Sequence, residues 1–231
     1  MQRGAASLQV QLTDFQVDQL EQFILLIKKW NKVFNLVSRQ DVGRLADRHV
    51  LDSLSGLHLL SGNRVLDVGS GAGLPGVVLA IASPSKQFIL CDRSARRARF
   101  LKQVKLSLNL SNVVVWEGDL GRDVFPHLTP VDTVVARGVT TADSIWEMAQ
   151  GYMEAEGKIL VYERTQTAPM SCEEEAQPSE DVALEPPLKK YTLNLGGDEV
   201  VHQAHYFDIP GINQRHRIVS LYRHTKEVGF S

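Results

Sequence analysis

A glycine-rich turn directly after an apolar segment is the part of the sequence best suited to chemistry. The apolar run Arg64–Val68 is followed by three glycines at alternate positions: Gly69, Gly71 and Gly73. Glycine permits positive φ angles and lets the backbone approach a ligand closely. The next helix is expected to begin near Leu74 and Pro75, where backbone N–H groups favour polar or anionic ligand atoms. The turn therefore predicts a nucleotide-type cofactor site.

Two cofactor classes are compatible with such a turn. Counted from Gly71, the pattern Gly-x-Gly-x-x-Gly ends at Gly76 and fits the dinucleotide fingerprint. Asp67, however, precedes the turn, where a carboxylate repels a pyrophosphate but can meet the ammonium group of S-adenosylmethionine (SAM). A SAM site is favoured, and a dinucleotide-binding oxidoreductase stays as an alternative.

Acidic residues after the next two predicted strands support the SAM interpretation. Asp92 ends the second strand about 20 residues after the turn, where a carboxylate accepts hydrogen bonds from ribose hydroxyls. Asp119 lies in an acidic turn after the third strand, which suits an adenine edge. In order and spacing, Asp67, the glycines, Asp92 and Asp119 match class I SAM-dependent methyltransferases.

Strand and helix patterns alternate between residues 63 and 165 and must position these groups. Such alternation implies βαβ units and predicts an α/β fold, with a doubly wound, Rossmann-like, mainly parallel sheet. Strand-like runs between residues 189 and 223 predict an antiparallel pair that ends the sheet. An acidic stretch, residues 166–185, contains no basic residue and predicts a solvated helix or a mobile loop.

The first 60 residues have helical patterns only. Thr13 or Asp14 can cap a helix, and a second short helix is expected over residues 42–60. Neither apolar stripe is wide enough for an independent domain. We therefore predict an N-terminal helical cap, residues 1–60, on a SAM-binding domain, residues 61–231, in one compact unit.

The composition excludes several protein classes. The 231 residues are 43% hydrophobic and 23% charged, with a net charge of −2, which excludes disordered, collagen-like and disulfide-scaffold chains. Cys91 and Cys172 lie in no metal-binding spacing, so no metal site is predicted and a reducing, cytoplasmic compartment is expected. No apolar run approaches the ~20 residues that span a bilayer, so no membrane partner is expected.

Four motifs in a fixed order carry a specific resemblance. They are Trp30-Asn31-Lys32-x-x-Asn35-Leu36, Arg48-His49-x-x-Asp52-Ser53-Leu54, Asp67-Val68-Gly69-x-Gly71-x-Gly73-Leu74-Pro75-Gly76 and Asp92-x-x-x-Arg96-Arg97-x-x-Phe100-Leu101. Over residues 13–165, the sequence resembles the glucose-inhibited-division-B family of bacterial small-subunit rRNA guanine-N7 methyltransferases. Departures such as Val37, where the family usually has Thr, keep a SAM-dependent enzyme for another RNA, a protein or a small molecule as an alternative.

The resemblance implies a set of cofactor and RNA contacts. The implied SAM contacts are Gly69, Leu74, Asp92, Arg93, Ser94, Leu120, Gly121 and Arg137. The helical cap, with Arg48 and His49, is implied to shape the RNA side of the pocket. The implied partner is 16S rRNA or a small-subunit precursor, and a monomer is expected.

Guanine N7 chemistry agrees with the residues present. N7 has a free lone pair at neutral pH, so the enzyme needs no general base and acts mainly by orienting the reactants. The sequence lacks both an Asn/Asp-Pro-Pro-aromatic motif and a Pro-Cys nucleophile, which disfavours adenine-amine and pyrimidine-C5 methylation. Arg137 is the catalytic candidate, because arginine commonly bonds guanine edges and can also position the cofactor.

An RNA substrate also requires a local basic surface. Residues 86–105 contain seven basic residues against Asp92 alone: Lys86, Arg93, Arg96, Arg97, Arg99, Lys102 and Lys105. Arg93, Arg96 and Arg97 are expected on one helix face, and Arg96 and Arg97 are the predicted RNA contacts. The simpler interpretation is a solvated helix face, and a non-catalytic RNA-binding module is a further alternative.

Overall fold

Eight strands in one sheet carry the candidate site in the computed structural model, which describes residues 1–125, 129–163, 190–210 and 215–224. The acidic stretch, residues 166–185, and Cys172 lie outside the described residues. The strands are β1 (Arg64–Val68), β2 (Gln87–Asp92), β3 (Val113–Glu117), β4 (Val131–Arg137), β5 (Met153–Glu163), β6 (Lys190–Leu195), β7 (Asp198–Asp208) and β8 (Arg215–Arg223). Their order is β3-β2-β1-β4-β5-β8-β7-β6.

The first five strands pair in parallel, and the last three pair antiparallel. This confirms the α/β class and the Rossmann-like, mixed sheet. The antiparallel part is larger than the predicted pair, because β6 and β7 form a hairpin on the far edge. Gly196 and Gly197, with φ of 60° and 91°, join them. Two positive φ angles suit a two-residue hairpin turn.

The helices pack on both faces of the sheet. They are α1 (Gln2–Ser7), α2 (Asp14–Phe34), α3 (Leu51–Ser55), α4 (Gly76–Ala82), α5 (Ala95–Ser107) and α6 (Ala142–Ala149). The predicted start of α2 is confirmed: the Thr13 side chain accepts the Gln16 N–H, and the Gln16 side chain accepts the Thr13 N–H. This reciprocal capping box satisfies two backbone donors at the helix start. None of the helices in the described ranges is long and apolar enough to cross a membrane.

The single helix predicted over residues 42–60 is wrong. The structure instead has a 3₁₀ turn (Val42–Arg44), a π-helical turn (Leu45–Val50), α3 and a second 3₁₀ turn (Leu57–Leu59). Within α3, the Tyr162 hydroxyl on β5 donates to the Ser53 carbonyl at 2.9 Å, two residues before the helix ends. A Cβ at Gly56 would overlap that hydroxyl. The helix is interrupted where this tertiary contact forms.

The cap and the sheet share one hydrophobic cluster. Leu20, Phe23 and Ile27 from α2 are fully buried in the same cluster as Val77 of α4 and Phe100 of α5. A second cluster on the opposite face of the sheet is centred on α6. The division of the chain at residue 60 stays a prediction, since both sides of it contribute to one core.

Candidate functional site

The glycine turn after β1 is hydrogen-bonded to the end of β2. Gly69, Gly71 and Gly73 have φ of 66°, 57° and 83°, as the predicted turn requires. The Gly71 N–H donates to Asp92 Oδ2 at 2.8 Å, and the Ser70 N–H donates to the Cys91 carbonyl at 2.9 Å. The adjacent strand end therefore fixes the turn.

Asp92 is oriented by backbone donors. Its Oδ1 accepts the Ser94 N–H at 2.8 Å, and its side chain is 2% exposed. Arg97 Nη1 lies 3.7 Å from Oδ2. Each carboxylate oxygen has a second lone pair for a ligand, which agrees with the predicted ribose contact. That contact stays a prediction.

Asp67 is placed differently from Asp92. It is fully buried, and its Oδ2 accepts the N–H of Gly76, the first residue of α4, at 3.1 Å. Burial raises the pKa of this carboxyl to about 7. Its Oδ1 has no hydrogen-bond partner among the described residues. Because side chains alternate along a strand, Asp67 faces α4 and Val68 faces the cavity described next. An ammonium contact at Asp67 stays a prediction.

A cavity of about 520 Å³ opens at the carboxyl ends of the parallel strands. Its volume is within the range of small-molecule sites, and sheets of this class bind ligands at that edge. Among the predicted cofactor residues, five line it: Gly69, Asp92, Arg93, Asp119 and Leu120. The structure therefore brings together groups from the ends of three successive strands.

The other predicted cofactor residues are outside the lining: Asp67, Gly71, Gly73, Leu74, Ser94, Gly121 and Arg137. Gly71 and Ser94 orient Asp92 through their N–H groups. The Gly121 N–H donates to Asp119 Oδ1 at 3.1 Å and orients that carboxylate in the same way. Several of these residues thus support lining residues instead of facing the cavity.

Sequence reasoning missed the wall of the cavity that α6 provides. Ser144, Glu147 and Met148 line it, while Ile145 and Trp146 are fully buried on the opposite side of the helix. The sequence spacing of Ser144, Glu147 and Met148 indicates that they share one helix face, because they occupy positions i, i+3 and i+4. Which face would meet the cavity depends on how α6 packs on the sheet.

The cations near the cavity are mostly paired with carboxylates. Arg93 Nη1 is 3.6 Å from Asp119 Oδ2, and Arg97 pairs with Asp92. The prediction that Arg93 shares a helix face with Arg96 and Arg97 is wrong, since Arg93 precedes the Ser94 N-cap of α5. The Asp92–Ser94 hydrogen bond holds this segment as a turn. Arg96 is exposed and has no ion pair with the described residues.

Arg48 and His49 lie at the junction between the cap and the sheet. Arg48 Nη1 is 3.1 Å from Asp41 Oδ1, and His49 Nε2 is 3.7 Å from Asp41 Oδ2. Burial, with the positive charge of Arg137, lowers the pKa of His49 to about 4. His49 is therefore neutral at pH 7. Its role in RNA binding stays a prediction.

Arg137 forms a buried cluster with two residues that sequence reasoning did not assign to the site. Its Nη1 donates to Asp52 Oδ2 at 3.0 Å, and Asp52 Oδ1 is 2.6 Å from His216 Nδ1. Burial by itself would raise the pKa of Asp52, but the His216 hydrogen bond and the Arg137 charge hold it below its usual value. Asp52 belongs to the Arg-His-x-x-Asp motif and could have been identified from it, whereas His216 lies in none of the sequence motifs.

The described residues were also compared with the requirements of a metal site and of a reactive thiol. Within the described ranges, no cluster of three or more His, Cys, Asp or Glu residues has a metal-binding arrangement. Burial raises the pKa of Cys91 to about 12, so its thiol stays protonated at neutral pH.

The sequence is similar to known proteins over much of its length. Residues 16–185 match the family model GidB, described as rRNA small subunit methyltransferase G. A ribosomal RNA small subunit methyltransferase G from Escherichia fergusonii is 39% identical over 136 residues, which are 59% of this chain and 65% of that protein. One of the same name from Methylococcus capsulatus is 36% identical over 160 residues, covering 69% and 77%. The match thus spans less than two thirds of the Escherichia relative.

Proposed function

Since this chain belongs to the GidB family of small-subunit rRNA methyltransferases, we propose that it transfers a methyl group from SAM to N7 of a guanine in 16S rRNA. The observation that carries the proposal is the cavity beside the glycine turn. Carboxylates from two successive strand ends, Asp92 and Asp119, line it together with Gly69 and Leu120. In this proposal these groups would contact the ribose, the adenine and the methionine part of one cofactor.

The charge of the cavity supports SAM over a dinucleotide. Three carboxylates line it, those of Asp92, Asp119 and Glu147. The two lining guanidiniums, Arg93 and Arg97, are each within 4 Å of one of these carboxylates. A pyrophosphate would meet little free positive charge there, whereas a sulfonium and an ammonium group are favoured. When bound, SAM supplies the activated methyl group.

The chain's own contribution is to bind and orient the reactants. Asp92 would hold the ribose hydroxyls, and Asp119 with Leu120 the adenine. Guanine N7 needs no deprotonation, so positioning the base in line with the methyl group and excluding water can supply most of the rate gain. Arg137, beside the cavity, would orient the cofactor or the guanine.

The RNA would meet the exposed basic residues of α2 and α5. The Trp30 and Phe100 rings are 5.4 Å apart, which places the two helices side by side. Neither residues 22–34 nor residues 93–107 contain an acidic residue. Exposed cations occur on both helices: Lys28, Lys29, Lys32, Arg96 and Arg99. Such a surface attracts phosphates through charge and counterion release. Arg97 would contribute through the same helix, and Arg48 from the cap.

The proposal extends to the RNA partner, the oligomeric state and the cellular compartment. We infer that the substrate is 16S rRNA, free or in a small-subunit precursor. The protein would act as a monomer in the cytoplasm, where it meets that RNA.

A methylation assay tests the proposal. The protein is given SAM labelled in the methyl group with small-subunit rRNA, small subunits or large-subunit rRNA, and products are mapped by cleavage specific for N7-methylguanine. Met148→Trp places a bulkier side chain on the cavity wall and should strongly reduce labelling and SAM binding, whereas Leu193→Trp on the partly exposed edge strand β6 should change neither.

Each other outcome supports an alternative. Label in another RNA, a protein or a small molecule would leave the cofactor and overturn the acceptor. Saturable NADH binding without SAM binding would favour an oxidoreductase. RNA binding without methyl transfer would indicate a non-catalytic module.

A further inference from the structure

Three ionisable side chains from distant parts of the chain meet beside the cofactor cavity. Asp52 comes from α3 in the cap, Arg137 from the end of β4, and His216 from the start of β8. Their side chains are 11%, 17% and 15% exposed. Placing three such groups in a mostly buried position is costly unless each has a partner. Here the carboxylate of Asp52 is the partner of both Arg137 and His216.

The cluster is next to the cavity along the chain. Arg137 is followed directly by Gly138, Val139 and Thr140, all of which line the cavity. Val139 packs so closely on the glycine turn that a Cβ at Gly69 would overlap one of its methyl groups. The position of Arg137 therefore bears on the position of the cavity wall.

The guanidinium of Arg137 has capacity left for a ligand. A guanidinium has five N–H donors. The described residues accept one hydrogen bond from it, the 3.0 Å bond to Asp52 Oδ2. An arginine side chain has many rotamers, and ordering it on binding lowers affinity. A fixed carboxylate that holds one edge of the guanidinium removes part of this cost and leaves the other donors free.

Asp52 can act in this way because it is itself held from the other side. His216 Nδ1 lies 2.6 Å from Oδ1, so the two carboxylate oxygens have different partners. The Tyr162 hydroxyl, which donates to Ser53 next in the chain, adds a neutral contact to the same turn of the cap. The carboxylate itself is thus held by β8, and the turn that carries it is held by β5.

We propose that Asp52 and His216 are positioning residues that hold Arg137 for binding SAM at the edge of the cavity. The helical cap and the antiparallel end of the sheet then both belong to the cofactor site, although neither lines the cavity. This inference rests on the proposed function, because it assumes that SAM is the ligand.

A double-mutant cycle on SAM affinity tests the proposal. Kd for SAM is measured by calorimetry for the wild type, Asp52→Asn, Arg137→Ala and the double variant. Asp52→Asn keeps the size of the side chain and removes its charge, and it should weaken binding about tenfold. If Asp52 acts through Arg137, the double variant should match Arg137→Ala within about twofold.

Two further variants keep the test decisive. Glu199→Gln removes the charge of an exposed glutamate that pairs with His224 at the opposite end of β7 from His216, and it should leave Kd unchanged. His216→Asn should weaken binding about threefold, again with no effect in the Arg137→Ala background. If Asp52→Asn fails to fold, the His216 cycle replaces it.

The outcomes separate this proposal from the proposed function. A wild type that does not bind SAM overturns both. If the wild type binds SAM and both Asp52→Asn and His216→Asn bind it with the same Kd, only the positioning role is overturned. Additive effects in the double variants would show that Asp52 and His216 act on general stability, and would also overturn it.

Discussion

Two aspartates, each adjacent to the carboxyl edge of the sheet, have opposite ionisation behaviour. Asp67, before the glycine turn, is fully buried, and Asp52, at the cap junction, is nearly so. For both, burial is the largest influence and acts to raise the pKa. The pKa of Asp67 rises to about 7, whereas that of Asp52 falls below its usual value.

The difference lies in the partners. Asp67 accepts a hydrogen bond from the backbone N–H of Gly76, a neutral donor that offsets only part of the desolvation. Asp52 contacts both His216 and Arg137, and the His216 hydrogen bond together with the Arg137 charge outweighs the desolvation. Similar burial therefore produces a carboxyl that is about half protonated at pH 7 at one site and a charged anion at the other. Substitutions at each aspartate and its partners test this difference.

The largest effect is expected from removing the charged aspartate. Asp52→Ala leaves Arg137 and His216 buried without their carboxylate, and breaking a buried ion pair costs about 3–5 kcal/mol. Urea denaturation should show this loss in the free energy of unfolding. Asp208→Ala, which removes an exposed partner of Arg215, should change it by less than about 0.5 kcal/mol. Equal effects of the two variants would contradict the contrast.

A pH series should identify the neutral acid. The pKa of Asp67 is higher in the folded protein than in the unfolded chain, so its contribution to stability is complete below about pH 4 and is lost as the pH rises to about 7. The wild type should therefore lose about 3–4 kcal/mol relative to Asp67→Asn across this window. The lowered pKa of His49 has the opposite slope, but it is present in both proteins and cancels. A constant difference between them would refute the prediction.

The close approach of Asp67 to α4 depends on a glycine. A Cβ at Gly76 would overlap Asp67 Oδ2 and a methyl group of Leu90, both fully buried. Gly76→Ala should lower the free energy of unfolding by about 1–3 kcal/mol through overpacking. Gly43→Ala is the matched control, because a Cβ added at Gly43 would meet no described atom within 4 Å. Thermal melting of the two variants measures the difference.

The smallest effect should come from the neutral contact at the cap. Tyr162→Phe removes the hydroxyl that donates to the Ser53 carbonyl and should cost about 1 kcal/mol. Tyr206→Phe changes an exposed ring on β7 and should cost nothing measurable. A loss as large as that of Asp52→Ala would mean that the hydroxyl, and not the ion pair, holds the cap on the sheet.

Much of the fold could be predicted because its signals are local. The glycine turn, the capping box at Thr13 and the alternation of β1 to β5 with α4, α5 and α6 depend on backbone angles and residue periodicity within a few positions. For the same reason, Asp92 and Asp119 could be assigned to one edge: parallel strands align their carboxyl ends.

Other features depended on packing and were missed. The helix over residues 42–60 is interrupted where Tyr162 contacts the cap, and a sequence pattern does not contain that contact. Arg93 was placed on a helix that begins later, because an Asp92 hydrogen bond holds the preceding turn. The α6 face that meets the cavity was likewise set by packing on the sheet.

The α/β class, the glycine turn and the strand ends that carry acidic residues follow from local sequence, because backbone preferences and apolar periodicity act over short distances along the chain. Which ionisable groups share a partner depends instead on the tertiary structure. Asp52 meets Arg137 across 85 positions and His216 across 164, and Asp67 faces a helix instead of the cavity. Burial and the charge of the nearest donor depend on three-dimensional neighbours, and they set the ionisation of these groups.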